Sequence, residues 1–133
     1  MAEQLQVRRS YNAQDGGIVT GDKAARVRVS FTVEFAEGAP ADYYILTDFL
    51  PAGLDFIVMD GKNSSQNVGF IDEEDRQLQF AVLHNGRGAQ TVSFSYYARM
   101  TMEGEFTADA PYIRHATYAD VVVSGNEATL SLQ

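Results

Sequence analysis

The stretch Thr91–Phe106 constrains the fold more than any other part of the chain. Its apolar side chains alternate with polar or smaller ones, at Val92, Phe94, Tyr96, Ala98, Met100 and Met102. A β-strand places successive side chains on opposite faces, so this period of two predicts one buried face and one wetter face. At about 3.3 Å per residue, Gln90 to Met102 would form a strand of roughly 40 Å. So long a strand predicts a sheet protein in which most other strands pair with it or pack across from it.

The remaining segments predict an antiparallel β-sandwich. Arg26–Phe35 alternates most cleanly, and Asp42–Phe49 is apolar on both faces, which predicts a central strand that Leu50-Pro51-Ala52-Gly53 ends. Asp109–Tyr118 contains Pro111 and is predicted to be irregular. Shorter strands are predicted at Leu5–Tyr11, Ile18–Thr20, Leu54–Met59, Phe70-Ile71, Leu78–Val82, Val121–Val123 and Ala128–Leu132. With turn signals every ten or so residues and no helical periodicity, we expect about seven to eight strands in an all-β, antiparallel sandwich.

Length and composition set further bounds. The chain has 133 residues, 45% of them hydrophobic, which suits one core; we expect residues 5–133 to form a single domain behind a tail of residues 1–4. Eighteen acidic against ten basic residues give a net charge of −8, which argues against nucleic acid or an anionic membrane as partner. No apolar run is long enough to span a membrane, so we predict no membrane insertion. The absence of cysteine excludes disulfides and thiolate nucleophiles.

The candidate chemical motifs are weak. Asp72–Asp75 clusters oxygen ligands that calcium could use, but it lacks EF-hand spacing, and a solvated turn is the favoured interpretation. His84 and His115 have no histidine partner at i+2 or i+4, and His84 lies in a predicted turn, where we expect it to be exposed. The glycine turns Asp15-Gly16-Gly17 and Gly21-Asp22-Lys23 do not join a strand to a helix, as phosphate binding requires. No Gly-x-Ser-x-Gly elbow is present. The sequence therefore predicts no enzyme, no metal and no cofactor.

The tyrosines point to contacts rather than to catalysis. Tyr43-Tyr44 and Tyr96-Tyr97 each place one ring on either side of a strand, so at least one of each pair should lie in the core. Outward rings can bind a ligand or be covered by a neighbouring domain, and we favour the neighbour. Tyr112 and Tyr118 follow Pro111 in a segment predicted to be irregular, where contact residues concentrate.

Three segments, in this order, resemble the last domain of bacterial α2-macroglobulins. The first is Leu5–Tyr11, followed by Thr20-Gly21-Asp22 and the strand Val27–Phe35. The second is Leu46–Leu54, which is similar to that family's D-x-LPAG-(L/F) segment. The third is Tyr97–Phe106 with Pro111 and Tyr118, which is similar to the family's Y-x-x-R-A-x-x-x-G-x-F-x-x-P and its later tyrosine. The resemblance covers nearly the whole chain and implies a sandwich of the macroglobulin- or immunoglobulin-like type.

The resemblance implies a non-catalytic domain of a large exported protease trap, in the periplasm or at the cell surface. Its partners would be neighbouring domains of the parent chain, including a thioester-type domain, and proteases would be met only through the parent. In some bacterial members a tyrosine of this domain shields the thioester from water, and Tyr118 best matches it, although Thr117 replaces the family's preceding methionine. Any Cys-Gln thioester would lie in another domain. The lysine pair with which vertebrate relatives bind a receptor has no counterpart, since Lys23 and Lys62 lie elsewhere.

A second class of protein stays open. Repeated sandwich domains of cell-surface adhesins also carry a D-x-LPAG segment. A module of that kind would act as a spacer or bind protein or carbohydrate. The R-x-x-x-x-G-x-F ending and its tyrosine favour the macroglobulin resemblance over this alternative.

Overall fold

The computed structural model describes residues 5–11, 18–21, 26–61, 64–118 and 120–132, and its regular elements within these ranges are all β-strands. Twelve strands occur in this described part, more than the seven or eight expected, because several are pieces of only three to five residues. They are β1 (Leu5–Tyr11), β2 (Ile18–Gly21), β3 (Arg26–Phe35), β4 (Asp42–Phe49), β5 (Leu54–Met59), β6 (Val68–Glu74), β7 (Gln77–His84), β8 (Gln90–Met100), β9 (Gly104–Ala108), β10 (Tyr112–His115), β11 (Val122–Ser124) and β12 (Ala128–Leu132). Some positions discussed above lie outside the described residues, namely the predicted tail, the turn Asp15-Gly16-Gly17, Asp22, Lys23 and Lys62.

Two sheets face each other across one core. The first has the strand order β1-β3-β8-β5 and the second β11-β10-β4-β7-β6, and all neighbours within both are antiparallel. Phe31 of β3 and Phe80 of β7 meet between them, with ring centroids 6.3 Å apart. A small third sheet, β2-β12-β9, includes the parallel pair β2–β12. This arrangement confirms the predicted antiparallel β-sandwich.

Strand β8 holds the first sheet together, as the alternation predicted. It pairs with β3 from Phe35 opposite Gln90 to Arg26 opposite Arg99, and with β5 on its other side. The predicted apolar face is buried from Val92 to Met100, but Met102 is 47% exposed and the prediction was wrong there. The strand ends at Met100 and the chain bends at Met102, so the period of two no longer decides which face is buried.

The segment after Pro111 is more regular than expected. Tyr112–His115 forms β10, which pairs with β4 on one side and β11 on the other, so the predicted irregular structure was wrong. Pro111 precedes the strand, where its missing N–H breaks no ladder bond, and its carbonyl accepts from Gly125 N–H at 2.8 Å. Strand β4 becomes central, as its two apolar faces predicted.

Candidate functional site

A buried polar cluster joins the two sheets. Arg9 lies on the inward face of β1, where alternation with Leu5 and Val7 directs it into the core. Its Nη1 donates to Asp48 Oδ1 of β4 at 2.6 Å, and the hydroxyl of Tyr96 from β8 donates to Asp48 Oδ2 at 2.5 Å. The carboxylate is thereby shared between a cation and a hydroxyl that both come from the opposite sheet.

The Arg9 guanidinium also binds segments that no ladder connects to β1. Nη1 donates to the carbonyl of Asp109 at 2.8 Å, and Nη2 donates to the carbonyls of Ala108 and Asn126, each at 3.2 Å. The guanidinium carbon lies 5.2 Å from the centroid of the Tyr11 ring. One side chain therefore ties β1 to β4, to the end of β9 and to the turn before β12.

The electrostatics of this cluster suit a structural role. Burial raises the pKa of Asp48, while Arg9 and the Tyr96 hydroxyl act against burial by stabilising the carboxylate. Burial alone would lower the pKa of Arg9, but Asp48, Tyr11 and Tyr96 together outweigh it and raise that pKa. Burial, and then Asp48, raise the pKa of Tyr96, so its hydroxyl stays protonated as a donor. The three side chains are almost fully buried, which leaves no room for a substrate to reach them.

The segments that carried the macroglobulin resemblance meet at this cluster. Arg9 and Tyr11 belong to the first segment, Asp48 begins D-x-LPAG in the second, and Tyr96 directly precedes the third. The motif positions Arg9 and Asp48 therefore join the two sheets. Their role could not be predicted from the sequence, where a charged residue at an inward position of β1 is the one signal and shows no partner.

A second missed residue, Arg76, holds the Leu50–Leu54 loop. Arg76 Nη2 donates to the carbonyls of Pro51, at 2.7 Å, and of Leu54, and Nη1 donates to Asp55 Oδ1 at 3.1 Å. Its own carbonyl accepts from Leu50 N–H at 2.8 Å. Arg76 occupies a hairpin turn with φ of 66°, and a turn position gave no sign that its side chain reaches back to this loop.

The predicted contact residue Tyr118 lies at one end of a row of rings that contact one another. The centroid of its ring lies 4.8 Å from that of His115, and the His115 centroid lies 4.8 Å from that of Tyr44. Further inward, the ring centroids of Tyr44 and Phe35 are 4.9 Å apart, and those of Phe35 and His84 are 4.6 Å apart. Tyr118 is 55% exposed at the outer end of this row, whereas His84 is only 2% exposed. The expected exposure of His84 was wrong, because its ring turns inward and lies near the carbonyls of Pro40 and Gly88, at 3.2 Å each.

His115 fixes the loop that carries Tyr118. Its Nδ1 accepts from the N–H groups of Thr117, at 3.0 Å, and Tyr118, at 3.2 Å. The opposite nitrogen, Nε2, therefore carries the proton and donates to the carbonyl of Ala41 at 2.7 Å. The exposed tyrosine is thus held by a buried neutral imidazole.

The other predicted contact residue, Tyr112, lies at the opposite end of β10. It is half-buried, opposite Thr47 of β4, and its ring is 6.2 Å from Phe49. His115 ends the same strand opposite Tyr44, so a four-residue strand of about 10 Å separates the two ends. The structure places Tyr112 and Tyr118 on one segment without bringing the rings into contact with each other.

The acidic run is part of a hairpin. Asp72–Glu74 ends β6 and Asp75 turns the chain with φ of 51°. Within the ranges that the structure describes, no group of three or more histidine or acidic side chains could hold a metal ion. In the same ranges, no helix is long and apolar enough to cross a membrane.

The fold defines a class of domain, the macroglobulin- or immunoglobulin-like β-sandwich. Neither a protein-family model nor a curated protein matches the sequence. Among solved structures, Salmonella α2-macroglobulin reacted with methylamine matches 100% of this chain and 9% of its own, with 20% identity and a TM-score of 0.74. Native Escherichia coli α2-macroglobulin, from domain MG7 to the C-terminus, matches 97% of this chain and 23% of its own, with 17% identity and a TM-score of 0.70.

The fold also occurs outside α2-macroglobulins. BcpA, the major pilin subunit of Bacillus cereus, matches 98% of this chain and 41% of its own, with 13% identity and a TM-score of 0.69. In each of these three similarities the chain spans less than half of the other protein. The resemblance to bacterial α2-macroglobulins is therefore confirmed as a likeness of fold over nearly the whole chain.

Proposed function

We propose that this chain is a non-catalytic interaction domain of a larger, exported, bacterial α2-macroglobulin-like protease trap. The observation that carries the proposal is the likeness of fold. It covers nearly the whole of this chain, but only 9% of one α2-macroglobulin chain and 23% of another. The motif positions of the resemblance, joined at Arg9 and Asp48, support it. The domain packs against neighbouring domains of its parent, and the parent meets the protease.

The contact that we propose is made by Tyr118, with Tyr112 beside it on the same segment. Tyr118 combines an exposed ring with a backbone fixed by His115, so little conformational entropy is lost when a neighbouring domain covers it. Where the parent carries a thioester, the ring would shield that bond from water.

The reading frame around the codons for this chain tests the proposal. A bait region and an α/α-barrel domain upstream would support it, and a Cys-x-Glu-Gln motif there would add the thioester. Tandem D-x-LPAG sandwiches with a wall anchor would instead support the adhesin-type module, which the likeness to the pilin subunit favours as the second candidate.

Substitution of Tyr118 in the parent tests the contact. Tyr118→Ala is expected to speed thioester hydrolysis and methylamine uptake, while Tyr118→Phe, which keeps the ring, shows how much depends on the hydroxyl. In the isolated chain, Tyr118→Ala should change the free energy of unfolding by less than about 0.5 kcal/mol, because the ring is exposed. Unchanged thioester reactivity in both variants would refute shielding by Tyr118.

A further inference from the structure

The outer face of the first sheet carries a cluster of arginines. Arg26 and Arg28 of β3 point outward together with Arg99 of β8, around the ring of Tyr97. In the strand register Arg26 lies opposite Arg99 and Arg28 lies opposite Tyr97. The Arg26 guanidinium carbon is 5.5 Å from the centroid of the Tyr97 ring. We name these four residues the arginine face.

One pair of arginines in the arginine face opposes the pairing of β3 with β8. Like charges directly opposite each other on antiparallel strands are unfavourable, and Arg26 and Arg99 are such a pair. Asp55 lies opposite Arg99 on β5, but its Oδ1 accepts from Arg76 at 3.1 Å. Among the residues that the structure describes, neither Arg26 nor Arg99 has an ion pair or a hydrogen bond from its guanidinium. Within the described part of the chain, these two exposed cations thus have no ion-pair partner, although the full sequence has an excess of eight acidic residues.

We propose that the arginine face binds an acidic segment of a partner protein, in extended conformation. Arg99 and Tyr97 are two residues apart on one strand face, about 7 Å, which is also the spacing of alternate side chains along an extended peptide. A guanidinium binds a carboxylate through two parallel hydrogen bonds, so an extended segment that places an aspartate or glutamate at Arg99 and Arg26 lays its next side chain on that face over the Tyr97 ring. The Tyr97 ring supplies an apolar floor between the cations.

The charge of the whole chain favours a short acidic segment over a long polyanion. Outside this face the chain is strongly acidic, for example along Asp72–Asp75, and would repel a nucleic acid or an extended sulfated glycan. A segment of a few residues touches only the arginine face and escapes that repulsion. The surface lies on the sheet opposite to the one that carries Tyr112, so this inference does not depend on the proposed function.

Fluorescence anisotropy with a labelled ten-residue Glu-Ser repeat tests the inference, with a Gln-Ser repeat as the uncharged control peptide. The intact chain should bind the Glu-Ser peptide at low salt, and the affinity should fall as salt rises. The double variant Arg26→Gln/Arg99→Gln should bind at least about tenfold more weakly, because two charge-assisted contacts are lost. Arg87→Gln, which removes an exposed charge from the β7–β8 turn, is the matched control and should bind as the unsubstituted chain does.

Several results would overturn the inference. They are undetectable binding of the Glu-Ser peptide, equal binding of the Gln-Ser peptide, or an equal loss in Arg87→Gln. Arginine-dependent binding of a sulfated oligosaccharide without binding of the peptide would replace the acidic segment by a glycan. The Tm of the double variant should equal or exceed that of the unsubstituted chain, since a repulsion is relieved. A drop of more than a few degrees would assign the arginines to stability and also overturn the inference.

Discussion

Removal of the Asp48 carboxylate should destabilise the fold more than any other change to a surface or core acid in the described sheets. In Asp48→Ala the Arg9 guanidinium stays buried without its counter-ion, and the Tyr96 hydroxyl loses its acceptor. Breaking a buried pair from one side costs about 3–5 kcal/mol. Domains of this size unfold at roughly 5–15 kcal/mol, so the variant should still fold, with a Tm lower by roughly 10–20 °C.

The assay is equilibrium unfolding in urea. Because the chain has no tryptophan, far-UV circular dichroism and tyrosine emission report the transition. The matched control lies one residue along the same strand, where Arg8 pairs with Glu34 at 3.3 Å and both are exposed. Glu34→Ala should cost less than about 1 kcal/mol, since solvent screens that pair.

A double substitution measures the interaction between Arg9 and Asp48 separately from their contacts with other residues. Arg9→Met/Asp48→Leu replaces both charges with apolar side chains, so it should cost clearly less than the sum of Arg9→Met and Asp48→Leu. If Asp48→Ala proves no more harmful than Glu34→Ala, the charge pair does not hold the sheets together and the account of Arg9 is wrong.

Two further outcomes follow from the same structure. Burial, and then Asp48, raise the pKa values of Tyr11 and Tyr96 above the ordinary 10.0. The unfolded chain therefore ionises these tyrosines first, so the stability that they contribute is present below pH 10 and is lost above it. The free energy of unfolding should fall there by about 1.4 kcal/mol per pH unit for each tyrosine. Urea unfolding between pH 8 and 11 should show this slope, Tyr11→Phe should reduce it, and an unchanged stability would contradict it. Arg76→Ala should lower the free energy of unfolding by about 1–2 kcal/mol and speed amide hydrogen exchange at Leu54, because the loop carbonyls lose their donor. If exchange at Leu54 is as fast in the control Arg87→Ala, Arg76 does not anchor the loop.

The sequence predicted those parts of the fold that depend on the period of side-chain alternation. Strand β3 has the predicted bounds Arg26–Phe35, and of the pair Tyr43-Tyr44 one ring is exposed and the other buried, as expected. Strand β10 was missed because Pro111 indicates irregular structure locally, whereas pairing with β4 and β11 decides the conformation.

The candidate site could be predicted only in part. The sequence predicts that Tyr118 is exposed, because it lies in a loop. It does not show that His115 holds the Tyr118 backbone, because tertiary packing turns that imidazole inward. The Arg9–Asp48 pair joins residues 39 positions apart, and no local pattern shows such a partner. The part played by Tyr118 and Tyr112 in binding stays a prediction.

The reach of Arg9 along the chain bears on how the domain is made in the cell. Its hydrogen bonds to Ala108, Asp109 and Asn126 span 99 to 117 residues. At about 5–20 residues per second, a ribosome needs roughly 6–23 s after adding Arg9 before it adds Asn126. During this interval the Arg9 guanidinium lacks some of the acceptors that it has in the folded core. The sandwich therefore closes only after nearly all of its strands have been synthesised. Folding should therefore be late and slow, as is usual for sheets built from distant pairings.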